Sequence, residues 1–270
     1  MSATHGATLQ VAVAGIGVLG PGLSDWPQAA GVLRTPSDWK PAATVVPAPQ
    51  RLPAAERRRA GVGVRAALEV AEQACAMAGA AVDEVATVFA SASGDPETCH
   101  AICEALARPE RLLSPTRFTN SVHNAAAGYW HIAAQSRAAS TSLAAYDASV
   151  AAGLLEAAAQ CASSGAPVLL VASDMPYPAP LHALRPLPDV FACALLLAPP
   201  RRSAAWPLAL RIASPGAPTR CSGTALDALR RAVPAARVLP LLQALAFDVP
   251  GTVMLDDDGF ALVVQVAARA

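Results

Sequence analysis

The sequence predicts an α/β fold, and three features predict it. Strand-like and helix-like segments alternate along residues 11–173. With 54% hydrophobic and 15% charged residues, a chain of 270 residues can bury a sizeable core. Near the end, apolar runs at residues 253–255 and 260–266 flank an Asp-Gly pair, the mark of a terminal β-hairpin. A formal net charge of zero gives no general electrostatic reason to bind nucleic acid or a membrane surface. Residues 1–9 lack a basic start and an apolar core, and no apolar run approaches membrane-spanning length, so a cytoplasmic protein with no membrane insertion is expected.

Residues 11–14 alternate as a strand and run into Gly15-Ile16-Gly17-Val18-Leu19-Gly20-Pro21-Gly22, which reads as a Gly-rich loop. It also spells G-x-G-x-x-G after a strand, the dinucleotide fingerprint. Pro21 and Gly22 interrupt the helix that a dinucleotide site needs there, and no second apolar strand with a terminal acid follows about twenty residues on. Residues 34–53 read as Pro-rich loop instead, and no cofactor is expected.

Residues 53–59 lead into a long helix with apolar positions at Ala66, Leu68, Ala71, Ala74 and Ala78; Pro53 and Glu56 are ordinary helix-start signals. A strand at residues 85–91 follows, then Ser93-Gly94-Asp95 and a helix carrying Cys99, His100 and Cys103. Those thiols lie one helical turn apart, yet no second ligand pair accompanies them, so no metal site is expected. The six cysteines are scattered through predicted helices and strands, which fits buried thiols in a reducing compartment.

Asn124-Ala125-Ala126-Ala127-Gly128 opens an apolar helix through Ile132. A strand at residues 140–144, a small-residue helix at 148–160 and a strand at 167–173 complete the unit. Ser140 and Ser142 do not sit in a Gly-x-Ser-x-Gly elbow, which removes the serine-hydrolase reading. Further strands are predicted at 188–197 and 208–212 and helices at 224–232 and 239–246. Asp256-Asp257-Asp258 lacks calcium-loop spacing and reads as a solvated turn.

This order of segments resembles the β-ketoacyl synthases of the thiolase superfamily, with their Gly-x-Gly opening, Asn-x-x-Ala-Gly helix, strand, nucleophile turn and buried small-residue helix. The wording Ser121-Val122-His123-Asn124-Ala125, Ala127-Gly128-Tyr129-Trp130, Ala148-Ser149 and Gly153-Leu154-Leu155-Glu156-Ala157 resembles the short chain-length factors of aryl polyene synthesis. The resemblance implies a thiolase-like half fold: a mixed sheet with helices on both faces. Residues 9–200 would be the ketosynthase-like N-terminal domain and residues 201–270 a short extension that replaces the second thiolase half and ends in the hairpin.

An ungapped alignment from Gly128 places Asp147 where the family has its catalytic Cys, and no His follows His182. The family's two C-terminal His residues are therefore missing as well. A ketosynthase nucleophile must be a low-pKa thiolate that accepts an acyl group from a carrier thioester, and a carboxylate is a poor substitute. No catalytic residue is expected. The resemblance implies a chain-length-factor-like subunit that pairs with a catalytic β-ketoacyl synthase and meets acyl carrier protein directly or through that partner. Phe118, His123, Asn124, Tyr129, Trp130, Asp147 and Ser149 are the tunnel or interface candidates.

Alternatives stay open at this level. Asp147 is either the N-cap of the following helix or a polar group in a catalytic-type pocket. Phe118, Tyr129 and Trp130 are either core aromatics or contacts to partner and tunnel. The run Glu56-Arg57-Arg58-Arg59 is either a solvated helix face or a dock for an acidic carrier protein. The rival functions are a stand-alone acyltransferase or decarboxylase acting through Asp147, and a homodimeric scaffold with no acyl substrate.

Overall fold

The computed structural model describes residues 7–200, 205–257 and 259–269. Asp258 of the expected acidic turn lies outside the described residues, as do the side chains of Asp256 and Asp257. In chain order the elements are β1 (Leu9–Leu19), α1 (Trp26–Arg34), α2 (Ala54–Arg59), α3 (Val62–Ala78), β2 (Ala86–Ala90), α4 (Pro96–Ala107), α5 (Pro115–Asn120) and α6 (Ala125–Ala134). They continue with β3 (Ser140–Leu143), α7 (Ser149–Ser164), β4 (Val168–Asp174), α8 (Leu181–Leu184), β5 (Phe191–Ala198), β6 (Trp206–Ala213), α9 (Thr224–Ala232), α10 (Leu239–Phe247), β7 (Gly251–Asp257) and β8 (Phe260–Val266).

The strands form one eight-stranded sheet in the order β3-β2-β4-β5-β1-β6-β8-β7. β3, β2 and β4 are mutually parallel, and every other neighbouring pair is antiparallel, so the sheet is mixed as the resemblance implied. The two faces carry separate cores. Phe191, Cys193, Leu195 and Leu197 of β5 point to the face covered by α1, α7, α9 and α10. Ala192, Ala194 and Leu196 point to the face covered by α3 and α6. A strand buried on both sides loses the apolar/polar alternation of a surface strand and reads as a continuous apolar run.

The predicted Gly-rich loop is a correction: residues 15–19 continue β1 in the middle of the sheet. The register against β5 shifts between Val13 and Gly15, so Val11, Val13, Ile16 and Val18 all face one core despite their uneven spacing. Gly15 and Gly17 then face α3 at a distance no side chain tolerates. A Cβ at Gly15 would lie 2.0 Å from the carbonyl oxygen of Ala74, and one at Gly17 would lie 2.0 Å from that of Val70. These glycines exist to bring helix and strand together, as at other close backbone approaches.

The long helix predicted from residue 53 is two helices, α2 and α3, because Ala60 leaves the helical conformation at the α2 C-cap and Gly61 opens α3. α1, α5 and α8 are elements the sequence reading did not assign. α1 starts on a proper cap: Asp25 Oδ1 accepts a hydrogen bond from the backbone N–H of Gln28 at 2.9 Å, and Pro27 stands in the first turn.

Gly17→Ala is expected to destabilise the chain by about 1–3 kcal/mol or more, the cost of overpacking where backbone rather than a flexible side chain must move. Urea unfolding of the variant checks this, and unchanged stability would mean that α3 can retreat freely from β1.

Candidate functional site

The turn between β3 and α7 carries Asp147, and its backbone is unusual. Tyr146 has φ 48°, in the left-handed region that is unfavourable for a residue with a side chain. Two side chains hold that conformation. Ser149 Oγ donates to the Tyr146 carbonyl at 2.7 Å and accepts from the Ala145 N–H at 2.9 Å, and the Arg185 guanidinium lies 4.0 Å from the centre of the Tyr146 ring. Ser149 is buried and thereby fixes the turn.

The Asp147 carboxylate does not cap α7. Its Oδ1 accepts from Arg185 Nη2 and its Oδ2 from Arg237 Nη2 at 2.7 Å. All three side chains are mostly covered, with exposures of 22% for Asp147, 21% for Arg185 and 15% for Arg237. α7 instead has Ala148 at its N-cap position, with no side-chain cap. Chemically this is a clamped anion, with both oxygens engaged by charged donors. Such a group holds two distant segments to the turn; it is a poor nucleophile because its lone pairs are committed.

A second carboxylate binds the segment that carries Arg237. Asp174, at the end of β4 and 1% exposed, accepts from Ser91 Oγ at 3.2 Å, from the Ala92 N–H at 2.8 Å and from the Ala235 N–H at 2.8 Å. Burial pushes its pKa up from 3.8 to about 6, against the opposing pull of those hydrogen bonds and of Arg185. Asp174 therefore ties the loop after β2 to the 3-10 turn Pro234–Val238, which also carries Arg237. His123 joins from the other side, its Nε2 lying 3.0 Å from the Ser91 carbonyl oxygen.

The structure sorts the sequence candidates into separate places. Asp147 and Ser149 share the turn, while His123 and Asn124 are exposed just before α6. Phe118 on α5 is 64% exposed. Tyr129 and Trp130 are buried in the core beneath α3 in the single chain. Tyr129 Oη donates to Asn120 Oδ1 at 3.0 Å, whereas Trp130 Nε1 is buried without an acceptor among the described residues. Sequence reasoning missed Arg185, Arg237 and Asp174. A carboxylate ending an otherwise apolar strand was a usable signal for Asp174; the two arginines carried none.

Burial raises Cys75 to about 11 and Cys193 and Cys221 to about 12, and it also raises Cys99 and Cys161. A raised value favours the protonated thiol over the nucleophilic thiolate. Among the described residues no group of three or more His, Cys, Asp or Glu side chains could hold a metal.

The family described as Beta-ketoacyl synthase, N-terminal domain, matches residues 25–239. The chain belongs to that family. Three solved structures share its thiolase-like ketosynthase fold. A chain of the ketosynthase ApeO in complex with its chain length factor ApeC, from Xenorhabdus doucetiae, is 22% identical with a TM-score of 0.74 over 95% of this chain and 99% of that one. A chain of the ishigamide ketosynthase/chain length factor is 13% identical, with a TM-score of 0.71 over 97% and 100%. A chain of AntDE:AntF, a type II PKS acyl-carrier protein in complex with its ketosynthase bound to the hexaketide, is 12% identical, with a TM-score of 0.74 over 97% and 100%. No curated protein matches the chain by sequence.

Two outcomes are expected at this site. D147N should lower stability by about 1–3 kcal/mol in urea unfolding, since two largely covered guanidinium groups lose the carboxylate between them. The Asp174 carboxyl carbon should titrate in NMR with a midpoint near 6 rather than 3.8. The folded chain then holds the proton more tightly than the unfolded one, so this group's contribution is greatest below about pH 4 and is lost as pH rises to about 6. A midpoint at or below 3.8 would contradict the role of burial.

Proposed function

We propose that this chain is a chain-length-factor-like subunit, non-catalytic by itself. It pairs with a catalytic β-ketoacyl synthase in aryl polyene or related type II polyketide assembly. The observation that carries the reading is the clamped Asp147: the residue that the resemblance sets at the family's nucleophile turn has both carboxylate oxygens bound by arginines. The structural likeness to chains from ketosynthase/chain length factor complexes supports it, since those likenesses run over nearly the whole of both chains. The partner would supply the acyl-accepting cysteine in the cytoplasm, and the acyl carrier protein would deliver to the pair. No helix among the described residues is long and apolar enough to cross a membrane.

The surface offers two features that suit such pairing. β3 is the edge of the sheet and has a strand neighbour on one side only among the described residues. The Thr87 N–H bonds to the Ala139 carbonyl and the Ser91 N–H to the Leu143 carbonyl, so in a parallel ladder the N–H groups of Ser140 and Ser142 point away from β2. An edge strand with outward N–H groups can be extended by a strand of a partner. The segment from α4 to α6 also leaves Leu106, Leu112, Phe118, Val122 and Ile132 exposed, and within it α4 buries only Pro96 and α5 only Asn120. Apolar surface of that extent is a marker of protein contact. In this reading Phe118, His123 and Asn124 meet the partner. Tyr129 and Trp130 support that surface from beneath, and Asp147 with Ser149 shapes the turn against the shared tunnel.

The test is co-expression with a ketosynthase that retains its cysteine, followed by light scattering of the purified material. A one-to-one heterodimer is expected. Ser142→Pro removes an outward N–H without touching the β2 ladder and should weaken association at least tenfold while circular dichroism stays unchanged. Failure of the two chains to associate, or association indifferent to Ser142→Pro, would count against the pairing or its edge-strand geometry respectively.

A further inference from the structure

A cleft between the ends of β2 and β4 and the starts of α3 and α6 contains a polar group that the fold leaves unused. Ser173 is 9% exposed, and its hydroxyl has no hydrogen-bond partner among the described residues. Along β4 it follows Leu169 and Val171 on the face toward α3 and α6, and it lines the cleft with Val64, Phe89 and Met175, all three buried. The other serine of the cleft differs: Ser91 Oγ donates to Asp174 at 3.2 Å and accepts from the Gly94 N–H at 3.0 Å. A buried hydroxyl without a partner is an exception in a folded protein, and an occupant of the cleft would supply the missing acceptor. The atom-free space is about 430 Å³, the part open to solvent included, and within it the centre of a water-sized sphere has about 30 Å³. That is room for roughly two waters or one small polar group.

A second, independent donor meets the same space. α6 has no side-chain cap at Asn124. The Ala125 N–H bonds to the Val122 carbonyl at 3.0 Å and the Gly128 N–H to the Asn124 carbonyl at 3.0 Å, but the Ala126 N–H has no acceptor among the described residues. Ala125 and Ala126 both line the cleft. The start of a helix is the positive end of its dipole, so an acceptor atom is favoured there. The charge of that acceptor is set by Asp95, the carboxylate of the cleft. Asp95 is held by the Thr98 N–H at 2.9 Å and by Thr98 Oγ1 at 2.9 Å, and it lies at the start of α3, where a Cβ on Gly61 would stand 2.9 Å from its Oδ2. α3 therefore already has its counter-charge, and an anion in the cleft would face a carboxylate across a narrow space. A neutral carbonyl oxygen takes both hydrogen bonds without that repulsion, and the apolar walls suit the small group that carries it.

We propose that this cleft binds a small neutral amide, its carbonyl oxygen accepting from the Ser173 hydroxyl and the Ala126 N–H and its alkyl groups lying against Val64, Phe89 and Met175. The test uses the full chain by itself, so its outcome is separate from that of the proposed pairing. Titrations of the ¹⁵N-labelled chain with N-methylacetamide, acetate and ethylammonium, followed by amide NMR, decide it. N-methylacetamide should shift the Ala126 and Ser173 amides to saturation and bind roughly fivefold or more tightly than either ion. Ser173→Ala should weaken the amide by roughly threefold or more, with no fall in melting temperature, because the hydroxyl bonds nothing in the free chain. Saturation by none of the three, or an amide affinity untouched by Ser173→Ala, overturns the site. Acetate as tight as the amide overturns the neutral choice, and ethylammonium as tight makes Asp95 the binding group and overturns it equally. A lower melting temperature of Ser173→Ala overturns the premise of an idle hydroxyl.

Discussion

The buried carboxylate of Asp174 is the interaction on which the site depends. It lies at the end of a strand whose every residue is buried, and it is tolerated because three donors converge on it from two other segments. Through Ser91 and Ala92 it sets the loop after β2, and through Ala235 it sets the 3-10 turn that delivers Arg237 to Asp147. Removing it would leave buried donors without acceptors and detach the turn that carries the clamp. The Asp147 ion cluster is in that sense secured through the 3-10 turn.

That arrangement changes what the position can do. A thiolate nucleophile needs a free lone pair and a lowered pKa; Asp147 has both oxygens occupied, and the pKa shifts resolved for the cysteines are all upward. The left-handed Tyr146, the Ser149 hydrogen bonds and the Arg185 stack fix the shape of the turn around that clamped carboxylate. On the proposed reading this shape, rather than a reactive group, is what the turn presents to another subunit.

The sequence made the regular elements legible where local signals were strong. The helix predicted at residues 224–232 is Thr224–Ala232, and the Asp-Gly hairpin forms as β7 and β8. It misled where burial erased the pattern. The glycines of β1 look like a loop because their purpose, contact with the carbonyls of Val70 and Ala74, is a tertiary fact about a helix far along the chain. α1 was legible in principle, since Trp26, Ala29, Ala30 and Leu33 are spaced as one helical face after an Asp cap; its Pro27 and the Pro-rich stretch beyond disguised it. The clamp was not legible at all. Arg185 and Arg237 lie 38 and 90 residues from Asp147 and reach it only through the fold.

On the proposed reading the turn at Asp147 is structural and accepts no acyl group. Intact-mass analysis of this chain co-purified with a cysteine-bearing ketosynthase, after incubation with an acyl-loaded carrier protein, is the decisive measurement. An acyl adduct on the cysteine-bearing partner and none on this chain is the expected result. An acyl adduct on this chain, or turnover of the acyl carrier thioester by this chain alone that disappears in D147N, would contradict it.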